Sequence, residues 1–201
     1  SDLAAIAVRC GGSGDVTESH VLWTTRLQSS IGTPVVVGKN LLWASQGKAF
    51  CAECATGKLV FEEPLKGGTK GHAFDYASPV VAGDLAIGSC GSGAGTGNFL
   101  SAIKLGGKGD VGKTHVAYTL RRATPYVPTP LYYEGRLYLL SDAGFASAIE
   151  AATGKEIWSE RLPRAEFFSS PVLIDGKIYC ASTKGEMIVL ATADTFKELG
   201  R

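Results

Sequence analysis

Four segments of the chain follow one plan: TPVVVGKNLLWAS from Thr33, SPVVAGDLAIGSC from Ser78, TPLYYEGRLYLLS from Thr129 and SPVLIDGKIYCAS from Ser170. Each opens on Ser/Thr-Pro, runs through three apolar or aromatic residues, turns at a glycine-containing pair and runs apolar again. That is the pattern of a β-hairpin. The turns fall at Gly38-Lys39-Asn40, Gly83-Asp84, Glu134-Gly135 and Asp175-Gly176. Proline suits the first position of a strand, where a missing N–H costs least. A second half follows each hairpin. In the third copy it is FASAIEAATGKEIWSERL from Phe145, two strands about an Ala-Thr-Gly-Lys turn, with Trp158 in the second. The first full copy reads KAFCAECATGKLVFEEPL, with Phe61 at the place of Trp158, and the last, GEMIVLATADTFKELGR, loosens the turn and stops near its fourth strand. The hairpin prolines at 34, 79, 130 and 171 are 45, 51 and 41 residues apart. Four short strands, a to d, at that period are the signature of propeller blades.

Composition agrees with an all-β chain. There are 26 glycines in 201 residues, and no stretch of a dozen residues has helical periodicity. With 45% hydrophobic and 19% charged residues the chain can build a substantial core. The net charge of +1, with basic residues scattered, gives no field that favours nucleic acid or an acidic membrane surface. No apolar run approaches the roughly 20 residues that span a bilayer. The start, SDLAAIAVRC, lacks the three regions of a signal peptide, as a mature chain also would.

One stretch imitates a nucleotide-binding motif. GKGDVGKT, residues 107–114, fits G-x-x-x-x-G-K-[ST]. It lies in AIKLGGKGDVGKTHVAY from Ala102, which aligns without a gap with AVRCGGSGDVTESHVLW from Ala7: Gly11 with Gly106, Asp15 with Asp110, His20 with His115, Trp23 with Tyr118. The earlier copy lacks Gly-Lys-Thr, and the residues that follow both look β-like, without the helix a phosphate loop needs. The stretch reads as an enlarged c–d turn, and nucleotide binding there is not expected.

The five cysteines, Cys10, Cys51, Cys54, Cys90 and Cys180, form no disulfide framework by spacing. Cys51-Ala-Glu-Cys54 is a lone C-x-x-C in a strand-like run, which places its two thiols on opposite faces. The cysteines read as small packing residues, and no metal site is expected.

The Ser/Thr-Pro-Val-x-x-x-Gly hairpins and Ala-Thr-Gly-Lys-Glu-Ile-Trp at 152–158 resemble the PQQ-like β-propeller repeat, the blade of quinoprotein dehydrogenases and of BamB-like outer-membrane assembly factors, distantly like WD40 blades. Gly-Gly-x-Gly-Asp-Val with His-Val-x-Trp is similar to a variant common in planctomycete-type bacteria. The resemblance covers essentially the whole chain. It implies an all-β, apparently incomplete (half) propeller of four-stranded blades at approximately 1–28 (strands c and d only), 29–70, 71–123, 124–164 and 165–201. Closed members carry about seven or eight blades. The chain is therefore expected to be part of a longer one, to pack against a second copy, or to close as a small four-bladed ring. The resemblance also favours a periplasmic or otherwise extracytoplasmic location.

In this blade type the a–b and c–d turns share one face, and the b–c and d–a loops share the other, where propellers usually bind ligands. The d–a connections hold His72, Asp75, Tyr76, Arg122, Tyr126, Arg164, Glu166, Phe167 and Phe168. These could form a protein- or ligand-binding rim, or the aromatics could wedge between blades. Gly88–Asn98, GSCGSGAGTGN, reads as a long flexible b–c loop. Quinoprotein dehydrogenases hold PQQ over a tryptophan floor beneath adjacent cysteines, with calcium on Glu, Asn and Asp. Here no cysteines are adjacent, the three tryptophans sit in strands b or d, and His20, His72 and His115 lie on unrelated elements. The reading is a non-enzymatic binding or scaffold module without a cofactor. The alternative is a fragment of a PQQ-dependent dehydrogenase, with PQQ and calcium.

Overall fold

The computed structural model describes residues 5–26, 31–45, 48–64, 77–91, 97–107, 114–162 and 165–201. β1 (Ala5–Val8) and β2 (Val21–Thr25), with one helical turn α1 (Thr17–His20) between them, pair as a two-stranded antiparallel sheet. Sheet I is β3 (Val35–Val37), β4 (Asn40–Ser45), β5 (Lys48–Glu53) and β6 (Leu59–Pro64). Sheet II is β7 (Val80–Ala82), β8 (Leu85–Cys90), β9 (Phe99–Lys104) and β10 (Val116–Leu120). Sheet III is β11 (Leu131–Tyr133), β12 (Arg136–Leu140), β13 (Phe145–Glu150) and β14 (Glu156–Arg161). Sheet IV is β15 (Val172–Ile174), β16 (Lys177–Ala181), β17 (Met187–Ala191) and β18 (Glu198–Gly200). In each four-stranded sheet the strands lie in chain order, so a, b, c and d form an antiparallel meander.

The hairpins stand where the sequence places them, and three local readings change. The last repeat has a fourth strand, β18, paired through Val189↔Gly200 and Leu190↔Glu198. Gly88, Ser89 and Cys90 belong to β8 and pair with β9 as far as Cys90↔Phe99, so the b–c loop begins later than its glycines suggest. Cys54 lies past the end of β5, in the c–d turn, where its N–H donates to the Lys39 carbonyl (2.8 Å).

The sheets join through their faces. Alternating residues of each sheet meet the next one. Leu137 and Leu139 of sheet III pack on Ile87, Leu100 and Ala102 of sheet II. Tyr138, Ala148 and Trp158 of sheet III pack on Ile178, Cys180, Ile188 and Leu190 of sheet IV. Sheets I and II meet in two smaller clusters, around Leu42, Cys51 and Ala86 and around Ala44, Cys90 and Phe99.

Two further devices fasten these seams. The first lies on strand d. In every c–d pairing the register slips by one residue just before the position held by Trp23, Phe61, Tyr118, Trp158 and Gly200. Such a bulge re-aims the side chain that follows it. Three of these residues reach the c–d turn of the next sheet. Trp23 Nε1 donates to the Cys54 carbonyl (2.9 Å), the Tyr118 hydroxyl to Ala151 (2.8 Å), and Trp158 Nε1 to Ala193 (3.0 Å). In the first two of these contacts the ring lies on the turn's glycine. A Cβ at Gly57 would sit 2.6 Å from Trp23, and one at Gly154 2.5 Å from Tyr118. Both glycines also have positive φ, so the Ala-Thr-Gly-Lys glycine is required twice over.

The second device lies before strand a. The Thr33 N–H donates to Ser78 Oγ (2.8 Å), Ser78 N–H to Thr129 Oγ1 (3.0 Å), and Thr129 N–H to Ser170 Oγ (2.9 Å). Ser78, Thr129 and Ser170 thus each accept from their counterpart in the preceding sheet.

The buried thiols are packing residues, as the sequence suggests. Burial pushes Cys51 up to about 11, with Cys54 adding a little, and Cys180 up to about 12. Unfolded thiols ionise near 9, so the folded state holds more protons above that pH. Stability is therefore expected to be full below about pH 9 and to fall as pH rises toward 12, measured as urea midpoints across that window.

The docked ring gives a second test. Tyr118→Phe removes the bond to Ala151 and is expected to cost about 1–2 kcal/mol. Gly154→Ala, strained in φ and driven into the ring, is expected to cost about 2–4 kcal/mol. Chemical denaturation of both variants and of the double variant checks this. Strictly additive costs would contradict direct contact.

Candidate functional site: the b–c and d–a loop face

The two faces of the blades are built differently. On one, each c–d turn is tied to its own a–b turn. Leu105 N–H donates to Asp84 (2.8 Å), Ala151 N–H to Gly135 (2.9 Å), and Thr192 Oγ1 to Gly176 (2.8 Å). The enlarged turn belongs here. Arg9 N–H donates to the His20 carbonyl and Lys104 N–H to the His115 carbonyl, both at 2.8 Å. His20 Nδ1 lies 2.7 Å from Ser19 Oγ, and His115 Nδ1 2.7 Å from Thr114 Oγ1. The aligned residues thus do the same local work in both copies. In the first copy β2 is preceded by the turn α1, which the β-like sequence around it does not signal. Asp15 starts it by accepting from the Thr17 N–H (3.0 Å), a bond that lowers the Asp15 pKa, and it closes when His20 N–H reaches the Val16 carbonyl (2.9 Å). Residues 108–113 of the phosphate-loop match lie outside the described residues.

On the opposite face the d–a connections that lead into sheets III and IV are each clasped by the b–c turn of the sheet they lead into. Asp142, just past β12, accepts from Tyr126 N–H (2.7 Å) and Val127 N–H (3.3 Å). Thr183 N–H donates to the Glu166 carbonyl (2.9 Å), and Ser169 Oγ to Ala181 (2.7 Å). A Cβ at Gly144 would lie 2.0 Å from the Ala165 carbonyl oxygen, so that turn admits no side chain. Both connections also plug the seam below. Thr124 and Pro125 are buried in one, and Phe167 is fully buried in the other, within the cluster joining sheets III and IV.

Of the sequence candidates, His72, Asp75, Tyr76 and Arg164 lie outside the described residues. Arg122 and Tyr126 stand on the connection clasped by Asp142. Glu166 and Phe168 stand on the one clasped by Thr183, so the four are held as two groups. The aromatics divide: Phe167 is the wedge, while Phe168 is 61% exposed. Two residues of this face escape sequence reasoning. Asp142 clasps the first connection, and Arg121 lies over the Phe99 ring, 5.9 Å from its centroid. Both border a 170 Å³ recess with Asn98, Thr124, Ser141 and Phe145. Arg161 lies over Phe145 at the same distance, so the cation–ring pair repeats from sheet II to sheet III; that repetition was the available signal.

A family model described as outer membrane protein assembly factor BamB matches residues 94–196, just over half of the chain. A comparison with curated proteins finds no match. Among solved structures, BamB from Moraxella catarrhalis superposes with a TM-score of 0.66 at 17% identity, over 90% of this chain and 51% of that one. Quinohemoprotein alcohol dehydrogenase from Comamonas testosteroni gives 0.66 at 15% identity, over 90% and 38%. The computationally designed Ika4 protein gives 0.60 at 12%, over 83% and 94%. The chain thus spans about half the length of BamB and nearly all of Ika4, and these likenesses establish the fold. With the four-strand meanders, the docked strand-d aromatics and the match over residues 94–196, the chain belongs to the BamB family of PQQ-like β-propeller repeats.

Proposed function

We propose that the chain is a non-enzymatic binding and scaffold module that takes a protein partner on the b–c and d–a loop face. The observation that carries this reading is the exposed Phe168 on a loop that cannot collapse around it. Its neighbour Phe167 is locked in the core, the Glu166 carbonyl on one side accepts from Thr183 N–H, and the Ser169 hydroxyl on the other donates to the Ala181 carbonyl. A rigidly held, exposed aromatic beside charged Glu166 is the kind of group that anchors a protein interface. The Trp23 and Trp158 indoles bond neighbouring turns, and the Ser/Thr hydroxyls before strand a bond neighbouring sheets.

The two end sheets supply the second part of the reading. Ile6 (58% exposed) and Leu22 lie bare on the first sheet. On sheet IV, Leu173 packs inward while Val172, Ile174 (50% exposed) and Met187 are bare. We propose that further blades, from a longer chain or from a second copy, cover these apolar faces. The docking position of sheet IV is Gly200, so whatever covers that face receives no aromatic from it.

Photo-crosslinking tests both parts together. With p-benzoylphenylalanine at position 168, a saturable adduct with one partner protein is expected, competed by unlabelled chain and lost in Arg122→Glu. At position 174, an adduct with another copy of this chain, or with further blades where a longer chain carries them, is expected. Absence of competed adducts at both positions would contradict the reading, as would dye-coupled alcohol oxidation on adding PQQ and calcium.

A further inference from the structure

The seams between sheets are unequally filled. At the two strand-b positions that face the preceding sheet, sheet I has Leu41 and Trp43, sheet III Leu137 and Leu139, and sheet IV Ile178 and Cys180. Sheet II has Ala86 and Gly88 at these places. A Cβ built on Gly88 would have nothing within 4 Å. The opposing face of sheet I does not compensate, since it offers Leu42, Ala44, Ala49 and Cys51. Nor does the docking position, where Phe61 is smaller than tryptophan and has no polar atom for the next turn. The space that results is a 240 Å³ cavity between sheets I and II, a seam whose core, among the described residues, is split into two clusters.

The lining determines what could enter. Leu42, Cys51, Val60, Phe61, Ile103 and Leu105 form the walls, and the polar groups Asn40 and Lys104 stand toward the a–b and c–d turns. Ser101, the hydroxyl on this wall, is already paired with Thr119 (3.2 Å). Water held in such a space needs two to four polar partners, whereas an apolar cavity of about 150 Å³ stays dry and accepts benzene. A charged guest would lose its hydration without replacement.

We propose that this cavity is a binding site for a small uncharged apolar molecule, the size of one or two fused rings. The site lies within the seam between sheets I and II and does not depend on the partner assigned to the loop face. Gly88 is what keeps it open, since any larger residue there points into it.

Naphthalene, titrated into the intact 201-residue chain, tests the site. Saturable one-to-one binding is expected, with methyl chemical-shift changes at Val37, Ile103 and Leu105 and none at Ile178 or Ile188 in the seam between sheets III and IV. Gly88→Leu fills the space, so the unliganded variant is expected to melt higher and to bind naphthalene at least about tenfold more weakly. Phe61→Trp, which narrows the same cavity, supplies the same comparison if Gly88→Leu does not fold. Absence of saturable binding to the unaltered chain would overturn the proposal, as would affinity undiminished in a folded variant.

Discussion

The ring of an outer strand, seated on the c–d turn of the next sheet, is the contact on which the rest of this structure depends. An isolated four-stranded meander has two apolar faces and cannot bury either alone. The docked ring fixes how the next meander lies on it, because one residue supplies both burial and direction. The Trp158 indole brings a large apolar surface into the seam, meets Tyr138 and Phe196 there, and ends in a hydrogen bond to Ala193. The bulge just before it aims the ring, and at the equivalent Trp23 and Tyr118 contacts the turn glycines Gly57 and Gly154 leave room for the ring. Where the ring is Phe61 the hydrogen bond is lost, and in that seam the core is divided.

A second set of bonds balances the first across each sheet. The rings hold the strand-d side, while the Ser/Thr chain from Thr33 through Ser78 and Thr129 to Ser170 holds the strand-a side. With both edges fastened, the relative position of neighbouring sheets is fixed and their loops are presented in register. On one face the loops are mostly short turns tied within a sheet. On the other they are longer connections clasped across sheets by Asp142 and Thr183, which makes that face the better platform for a partner.

What can be read in the sequence is what chemistry places locally. Proline at the strand start, glycine in the turn and alternation in between specify each hairpin without reference to its neighbours, and all four hairpins stand where those signals put them. The alignment of Trp23 with Tyr118, and of Trp158 with Phe61, is equally legible, because a repeat exposes equivalent positions. Why those positions are aromatic is not, since the answer lies in the turn of another repeat some thirty residues away. The same holds for the Ser/Thr before each proline, whose acceptor role exists only between sheets. Gly88 reads as loop because glycine is the loop residue. Its pairing with Ser101 in β8–β9, opposite a void, is a property of the assembled seam. On the loop face, spacing nominates Phe167 and Phe168 together, yet only packing separates the wedge from the exposed ring.

Neighbouring blades are locked along both edges, and the strand-a lock can be tested without altering any residue. Ser78 and Thr129 precede prolines and lie outside regular strands, where an amide would ordinarily exchange freely. If their N–H groups are held by Thr129 and Ser170, native-state hydrogen exchange is expected to find both as protected as the amides of β8 and β12. Exchange of both at the free rate, while those strands stay protected, would contradict the account.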